Sequence, residues 1–213
     1  MSFIPTLIET IRIRNGVAPL WYLHLRRLSE SCRVLGVPFP LKLEVPSGGP
    51  DRVVRLEVGP KGMVVTERAL ELSTSVRLAT VKTVHPGYAH KTTSRDAFIR
   101  AREEAARLGA DDALLLGDGG IVTECGIWSL FWWDGDQVAG PPMSLGVLRG
   151  IARMRIEEMR GRMMEQSLTR GQLEGKALFV ANAVRGVVPV VALDGSAVPE
   201  SGYLNALTAQ FWP

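Results

Sequence analysis

The chain has 213 residues, 46% of them hydrophobic, and 25 basic against 22 acidic side chains leave a formal net charge of +3. That is enough apolar material for a sizeable core, while 22 glycines and 13 prolines are too many turn formers for a purely helical bundle. No Lys/Arg run forms the basic stripe of a nucleic-acid binder, so the small positive excess points at most to an anionic ligand.

Cys32 and Cys125 cannot build a disulfide scaffold or a four-ligand zinc site, and neither CxxC nor HExxH occurs, so a reducing compartment and no structural metal are expected. The start of the chain lacks a secretory pattern and no apolar run reaches about 18 residues. A soluble cytoplasmic protein is the expectation.

In chain order, Phe3 to Arg14 alternates apolar and polar residues ahead of Asn15-Gly16, and the turn signal predicts a hairpin returning through Val17-Ala18-Pro19. Leu25, Leu28, Cys32 and Leu35 fall at helical spacing, which predicts a helix from Trp21 to Leu35 stopped by Gly36. After a Pro/Gly-rich break at Pro46 to Pro50, strands are predicted at Arg52 to Val58, Met63 to Glu67 and Ser75 to Val81, making a small antiparallel sheet with one helix. Thr83 to Tyr88 has turn composition and reads as a linker. Beyond it, Ala97, Ala101, Ala105 and Leu108 predict a helix over Ser94 to Leu108. Strands follow at Asp112 to Leu116, Ile121 to Glu124, Trp128 to Trp133 and Gln137 to Gly140, then an amphipathic helix from about Gly150 to Gln166 using Ile151, Met154, Met159 and Met163. Strands at Ala177 to Asn182 and Val187 to Leu193, a turn at Asp194-Gly195 and a helix near Tyr203 to Gln210 complete the pattern. The organisation expected is an α+β protein of two domains: 1–83, a linker at 84–90, and a larger strand-rich unit at 91–213.

Four stretches carry chemistry. Lys91, in His90-Lys91-Thr92-Thr93, sits between the linker and a helix; desolvation there would free a neutral amine as nucleophile or base. Glu124 shares a strand face with Val122, and a carboxylate on an apolar face needs a cationic or hydrogen-bonding partner. Gly140 to Arg153 runs from a Gly/Pro loop into a helix, whose free N–H groups suit a phosphate. Asn182-Ala183-Val184-Arg185-Gly186 joins two strands by a short polar turn. Singly, each also fits an ordinary role: a solvated lysine, a glutamate at a strand end, a helix that happens to follow glycine, and a chain reversal.

Together, their order and spacing resemble one family. Leu7-Ile8-Glu9-Thr10, the run Leu23-His24-Leu25-Arg26-Arg27-Leu28, His90-Lys91-Thr92-Thr93, Val122-Thr123-Glu124, Gly146 to Arg153 and Asn182 to Pro189 are similar to the class IV aminotransferases. These have the pyridoxal-phosphate fold type IV (D-amino-acid aminotransferase-like), and within them the chain looks most like the aminodeoxychorismate lyases. The resemblance implies pyridoxal 5'-phosphate as cofactor, joined to Lys91, with Glu124 at the pyridinium nitrogen. It implies Arg27, rather than Arg26, on the phosphate with the backbone of Gly150, Ile151 and Ala152, and Asn182 and Ala183 in the turn over phosphate or substrate. Arg185 would clamp a substrate carboxylate, since its planar fork binds carboxylates bidentately.

The activity implied is conversion of 4-amino-4-deoxychorismate to 4-aminobenzoate and pyruvate in folate biosynthesis, by a cytoplasmic homodimer. The alternatives are a branched-chain or D-amino-acid type aminotransferase on the same cofactor, and a non-catalytic family member. Three departures from the family pattern stand out. The strand pair and Gly-rich turn usual ahead of Glu9-Thr10 are missing, Ser129 stands where Asn is usual, and Ala152 where Thr is frequent.

Overall fold

The computed structural model describes residues 4–44 and 47–213. Phe3 of the first expected strand and Pro46 of the Pro/Gly break lie outside the described residues. Two sheets organise the chain. Strands β1 (Leu7–Ile13), β2 (Arg52–Gly59) and β3 (Gly62–Ala69) form an antiparallel sheet in that order, with α1 (Trp21–Leu35) packed on it. The larger sheet is built from β4 (Val76–Val84), β5 (Asp112–Leu116), β6 (Val122–Cys125), β7 (Ser129–Asp134), β8 (Gln137–Gly140), β9 (Met164–Glu165), β10 (Leu178–Asn182) and β11 (Gly186–Leu193). Its order is β6-β5-β4-β11-β10-β7-β8-β9, with β12 (Ser196–Ala197) beside β11. Three further helices, α2 (Asp96–Arg107), α3 (Ile151–Arg160) and α4 (Leu204–Gln210), complete the fold. Its mixed α+β character agrees with the sequence pattern.

Helix α1 runs over the expected residues and stops for the expected reason. Gly36 takes the left-handed conformation (φ 67°) and its N–H caps the Cys32 carbonyl. Leu23, Leu28 and Cys32 form the buried stripe, but His24, Arg27 and Ser31 are buried with them. In β2 and β3 the register pairs Arg52 with Ala69 and Gly59 with Gly62, a hairpin closed through Pro60 and Lys61.

The first hairpin is not formed as expected. Asn15 and Gly16 do adopt positive φ (51° and 76°), and Arg14 and Val17 exchange two backbone hydrogen bonds. The returning strand ends there, because Pro19 has no N–H to extend the ladder and α1 begins at Trp21. β1 pairs with β2 instead, Leu7 opposite Val58 and Ile13 opposite Arg52.

The strand expected at Ser75 to Val81 belongs to the larger sheet. Val76 and Leu78 face one core with Leu114, Val188 and Val190, while Ala79 and Val81 face another with Phe98 and Ala101. A strand covered on both faces is the pattern of a parallel interior strand, and β4 lies parallel to both β5 and β11. The chain therefore passes from one sheet to the other between Ala69 and Val76, ahead of the 84–90 segment.

Helix α3 is shorter than its apolar period suggests. Gly161 (φ 83°) ends it, and Met164–Glu165 continues as a short strand parallel to β8. Met163 extends the period because it is buried in the same core as Ile151, Met154 and Ile156, reached after the helix has stopped. In α2 the buried stripe is Phe98, Ala101 and Ala105; Leu108 is exposed. Among the described residues, no helix is long and apolar enough to cross a membrane.

Candidate functional site

A cavity of about 280 Å³, close to the lower end of small-molecule sites, opens between the two sheets. Arg27, Lys91 and Glu124 line it, together with Gly150, Ile151 and Ala152 at the start of α3. The β10–β11 turn adds Asn182, Ala183 and Arg185. The nine side chains and backbone positions singled out in the sequence thus converge from five separate parts of the chain.

Lys91 is fixed from both sides. Its carbonyl accepts the Ile8 N–H at 2.8 Å, and the next residue, Thr92, makes a bridge with Leu7 of β1. The Tyr88 hydroxyl donates to the Thr92 carbonyl and accepts its N–H at 2.7 Å. The backbone is therefore rigid while the amine is free: among the described residues no hydrogen bond or ion pair engages it. Burial, then the Arg95 and Arg27 guanidiniums, push this amine down to about 7.

Glu124 lies on β6 and is 7% exposed. Its Oε1 sits 2.7 Å from His85 Nε2 and accepts the Leu148 N–H at 3.2 Å. Oε2 has no protein donor and is not sealed from the cavity, so it is the oxygen left for a ligand.

Arg27 is buried as expected and Arg26 is exposed. Its fork is already engaged: Nε donates to Glu9 Oε1 at 2.9 Å and Nη2 to Glu9 Oε2 at 2.5 Å. His24 Nδ1 meets the same carboxylate at 2.6 Å. Burial alone would raise the Glu9 carboxyl, but Arg27 and His24 outweigh it and hold it at about 2. Burial also keeps His24 below the usual imidazole range. Arg27 thus brings one remaining guanidinium edge to the cavity.

At the start of α3, Gly150 is extended (φ −64°, ψ 149°) and supplies no side-chain cap. The first-turn N–H groups of Ile151 and Ala152 are left for a ligand at the positive end of the helix dipole. A Cβ on Gly150 would stand 2.7 Å from Ser129 Oγ, so any other residue there would require the Ser129 hydroxyl to move. Asn182 acts through its side chain on its own turn, Oδ1 accepting the N–H groups of Val184 and Arg185 at 3.0 and 2.8 Å. Arg185 Nε donates to the Glu71 carbonyl at 2.9 Å, and the guanidinium lies over the Trp128 ring. Part of its expected clamp is therefore spent within the protein.

Several groups in the lining or behind it were not singled out beforehand. Arg55 and Arg68 come from the β2–β3 hairpin, where Arg55 is opposite Thr66 and Arg68 is two residues further along the same face. Arg95 stacks over Phe98 and donates to the Gly126 carbonyl at 2.7 Å. Glu9 carried a readable signal, because it interrupts the apolar alternation Leu7, Ile11, Ile13 on the buried face of β1. His85 carried none, lying in a stretch of turn composition.

These features fit pyridoxal phosphate. An unpartnered amine, a carboxylate oxygen open to the cavity and an uncapped helix start beside an arginine answer the aldehyde, ring nitrogen and phosphate of such a molecule.

The comparisons with known proteins agree. The family model for amino-transferase class IV matches residues 61–193. A Legionella pneumophila structure named provisionally as a 4-amino-4-deoxychorismate lyase is 24% identical, with 95% of this chain and 88% of that one covered at a TM-score of 0.81. The branched-chain aminotransferase of Thermoproteus uzoniensis with norvaline is 21% identical, covering 98% and 84% at 0.84. A hypothetical aminotransferase of Mycobacterium tuberculosis in its PLP-bound form is 20% identical, covering 97% and 87% at 0.84. With more than half of its length matched by the family model and its fold shared with these structures, the chain belongs to the amino-transferase class IV family of pyridoxal-phosphate-dependent enzymes.

Proposed function

We propose that the protein is a lyase converting 4-amino-4-deoxychorismate to 4-aminobenzoate and pyruvate, a cytoplasmic homodimer serving folate biosynthesis. The observation that carries the reading is the Lys91 amine, unpartnered and pushed down to about 7, in one cavity with Glu124 and the uncapped start of α3. Lys91 would hold the cofactor covalently, Glu124 its ring nitrogen, and Arg27 with the Ile151 and Ala152 amides its phosphate. Bound there, the cofactor supplies an electron sink for a carbanion at the amine-bearing carbon.

Each step asks something specific of the chain. Lys91, pushed down to about 7 and so available in part as the neutral amine near pH 7, takes the proton from the amine-bearing carbon. Arg55, Arg68 and Arg185 face the same cavity and orient the carboxylates of the substrate. The Lys91 ammonium then returns its proton to the departing enolpyruvyl group, which leaves as pyruvate while the ring becomes aromatic. Motif detail favours the lyase, since His90-Lys91-Thr92-Thr93 and Asn182-Ala183-Val184-Arg185-Gly186 resemble the lyase-type versions.

A transaminase is the second reading, favoured by the names of the Thermoproteus and Mycobacterium structures; there Lys91 would move the proton between substrate and cofactor carbons. Ser129 and Ala152 motivate a non-catalytic member, against which stands the free amine of Lys91. Product analysis separates the three. The lyase yields 4-aminobenzoate and pyruvate from aminodeoxychorismate, and amino transfer to a 2-oxo acid without 4-aminobenzoate would overturn it. Protein that develops no visible absorbance with pyridoxal phosphate is the non-catalytic member.

A further inference from the structure

We propose that His85 is a positioning residue that orients Glu124 toward the cofactor's ring nitrogen and keeps it from pairing with Lys91. The role rests on the pyridoxal-phosphate reading above. His85 stands behind Glu124 rather than in the cavity: its side chain is 2% exposed, and its ring meets Phe98 edge-on at 5.8 Å. The Gly87 N–H donates to His85 Nδ1 at 3.2 Å. That nitrogen is therefore the acceptor, and the ring proton is on Nε2, which donates to Glu124 Oε1 at 2.7 Å.

Two consequences follow from where the donors fall. The Leu148 N–H reaches the same oxygen at 3.2 Å, so both hydrogen bonds converge on Oε1 and Oε2 is turned to the cavity. Both donors are neutral, so the carboxylate is held without its charge being cancelled. Lys91 lines the same cavity and interacts with that carboxylate electrostatically. An ion pair with Lys91 would occupy the carboxylate and protonate the amine together. The hydrogen bond from His85 anchors Glu124 against that collapse.

The test uses the full chain with His85→Ala, His85→Gln, Glu124→Gln and the His85→Ala/Glu124→Gln double variant. At saturating pyridoxal phosphate, His85→Ala should lower kcat by about 10- to 100-fold, the scale of one hydrogen bond to a charged group. KM for the amine substrate should be unchanged, and affinity for pyridoxal phosphate should fall by a similar factor. His85→Gln, which keeps an N–H donor, should recover part of both. In the Glu124→Gln background His85→Ala should add nothing, whereas a merely structural role would give the same loss in both backgrounds and overturn the proposal. Nitrogen NMR of the cofactor-free protein, with three histidines to assign, should show His85 protonated on Nε2. An Nδ1-protonated ring would overturn the proposal even where His85→Ala fails to fold. Wild-type protein that takes up no pyridoxal phosphate sinks the cofactor reading and this role together; uptake with an unaffected His85→Ala sinks this role alone.

Discussion

The two ends of the cavity hold their charges in opposite ways. At one end Arg27 is answered by Glu9, whose carboxylate takes two guanidinium N–H groups and a third from His24. At the other, Glu124 is answered by an imidazole and a backbone amide, neither carrying charge. The Arg27 end is therefore close to neutral within the protein, and its pull on a phosphate comes from the helix amides, equivalent to roughly half a charge, and from guanidinium shape. The Glu124 end keeps a full negative charge for its ligand. A buried ion pair gives fixed geometry at a desolvation cost; a carboxylate held by neutral donors gives electrostatics. The cavity uses the first where a ligand is to be seated and the second where a proton is to be held.

Lys91, between these ends, is where the largest effect is expected. Lys91→Ala should leave both ends intact, abolish the visible absorbance of protein-bound pyridoxal phosphate, and reduce turnover by about 10²- to 10⁴-fold. Glu9→Gln tests the neutralised end. It strands a buried guanidinium, and denaturant unfolding should show a loss of about 3–5 kcal/mol. The wild-type carboxyl, at about 2, adds stability that is full above its ordinary value of 4.5 and is lost as pH falls toward 2; Glu9→Gln should flatten that acid limb. No change in either measurement would mean the two ends do not differ as described.

Glu124→Gln tests the charged end and should slow turnover by about 10²-fold with folding stability little altered, since the amide can still accept from His85. The smallest effect is a pH slope. With the Lys91 amine at about 7 against an ordinary 10.5, the unfolded chain holds a proton across that window and the folded chain does not. Stability of the cofactor-free protein should rise with pH between those values by at most about 1.4 kcal/mol per unit. Lys91→Met should remove the rise.

Much of this was legible in the residues, and the failures have local causes. Helix α1 was readable because its period and its Gly36 stop agree, and the β2–β3 hairpin because its turn sits between two runs of strand-forming residues. The destination of β4 was not, since a strand buried on both faces shows no alternation to say which sheet covers it. Met163 misled by being buried for a tertiary reason after Gly161 had already ended the helix. The site positions were visible as motifs, but what each could do depended on its neighbours across the chain. That Arg27 is neutralised could not be known before β1 was seen to carry Glu9 beneath it. His85 needed the meeting of the turn at Gly87 with β6.

The parallel pairing of β4 with β11 has a kinetic consequence. Asp194, at the end of β11, receives the Thr80 N–H across 114 residues of chain, and Lys91, Glu124, Gly150 and Asn182 all lie inside that loop. Closing it is an entropic barrier met before its contacts return anything. Until β11 docks, β4 and β10 each keep an open edge, an exposure that favours aggregation. During synthesis the pocket cannot be completed until β11 has left the ribosome, so the cofactor can capture only a folding stage that follows the docking of that strand.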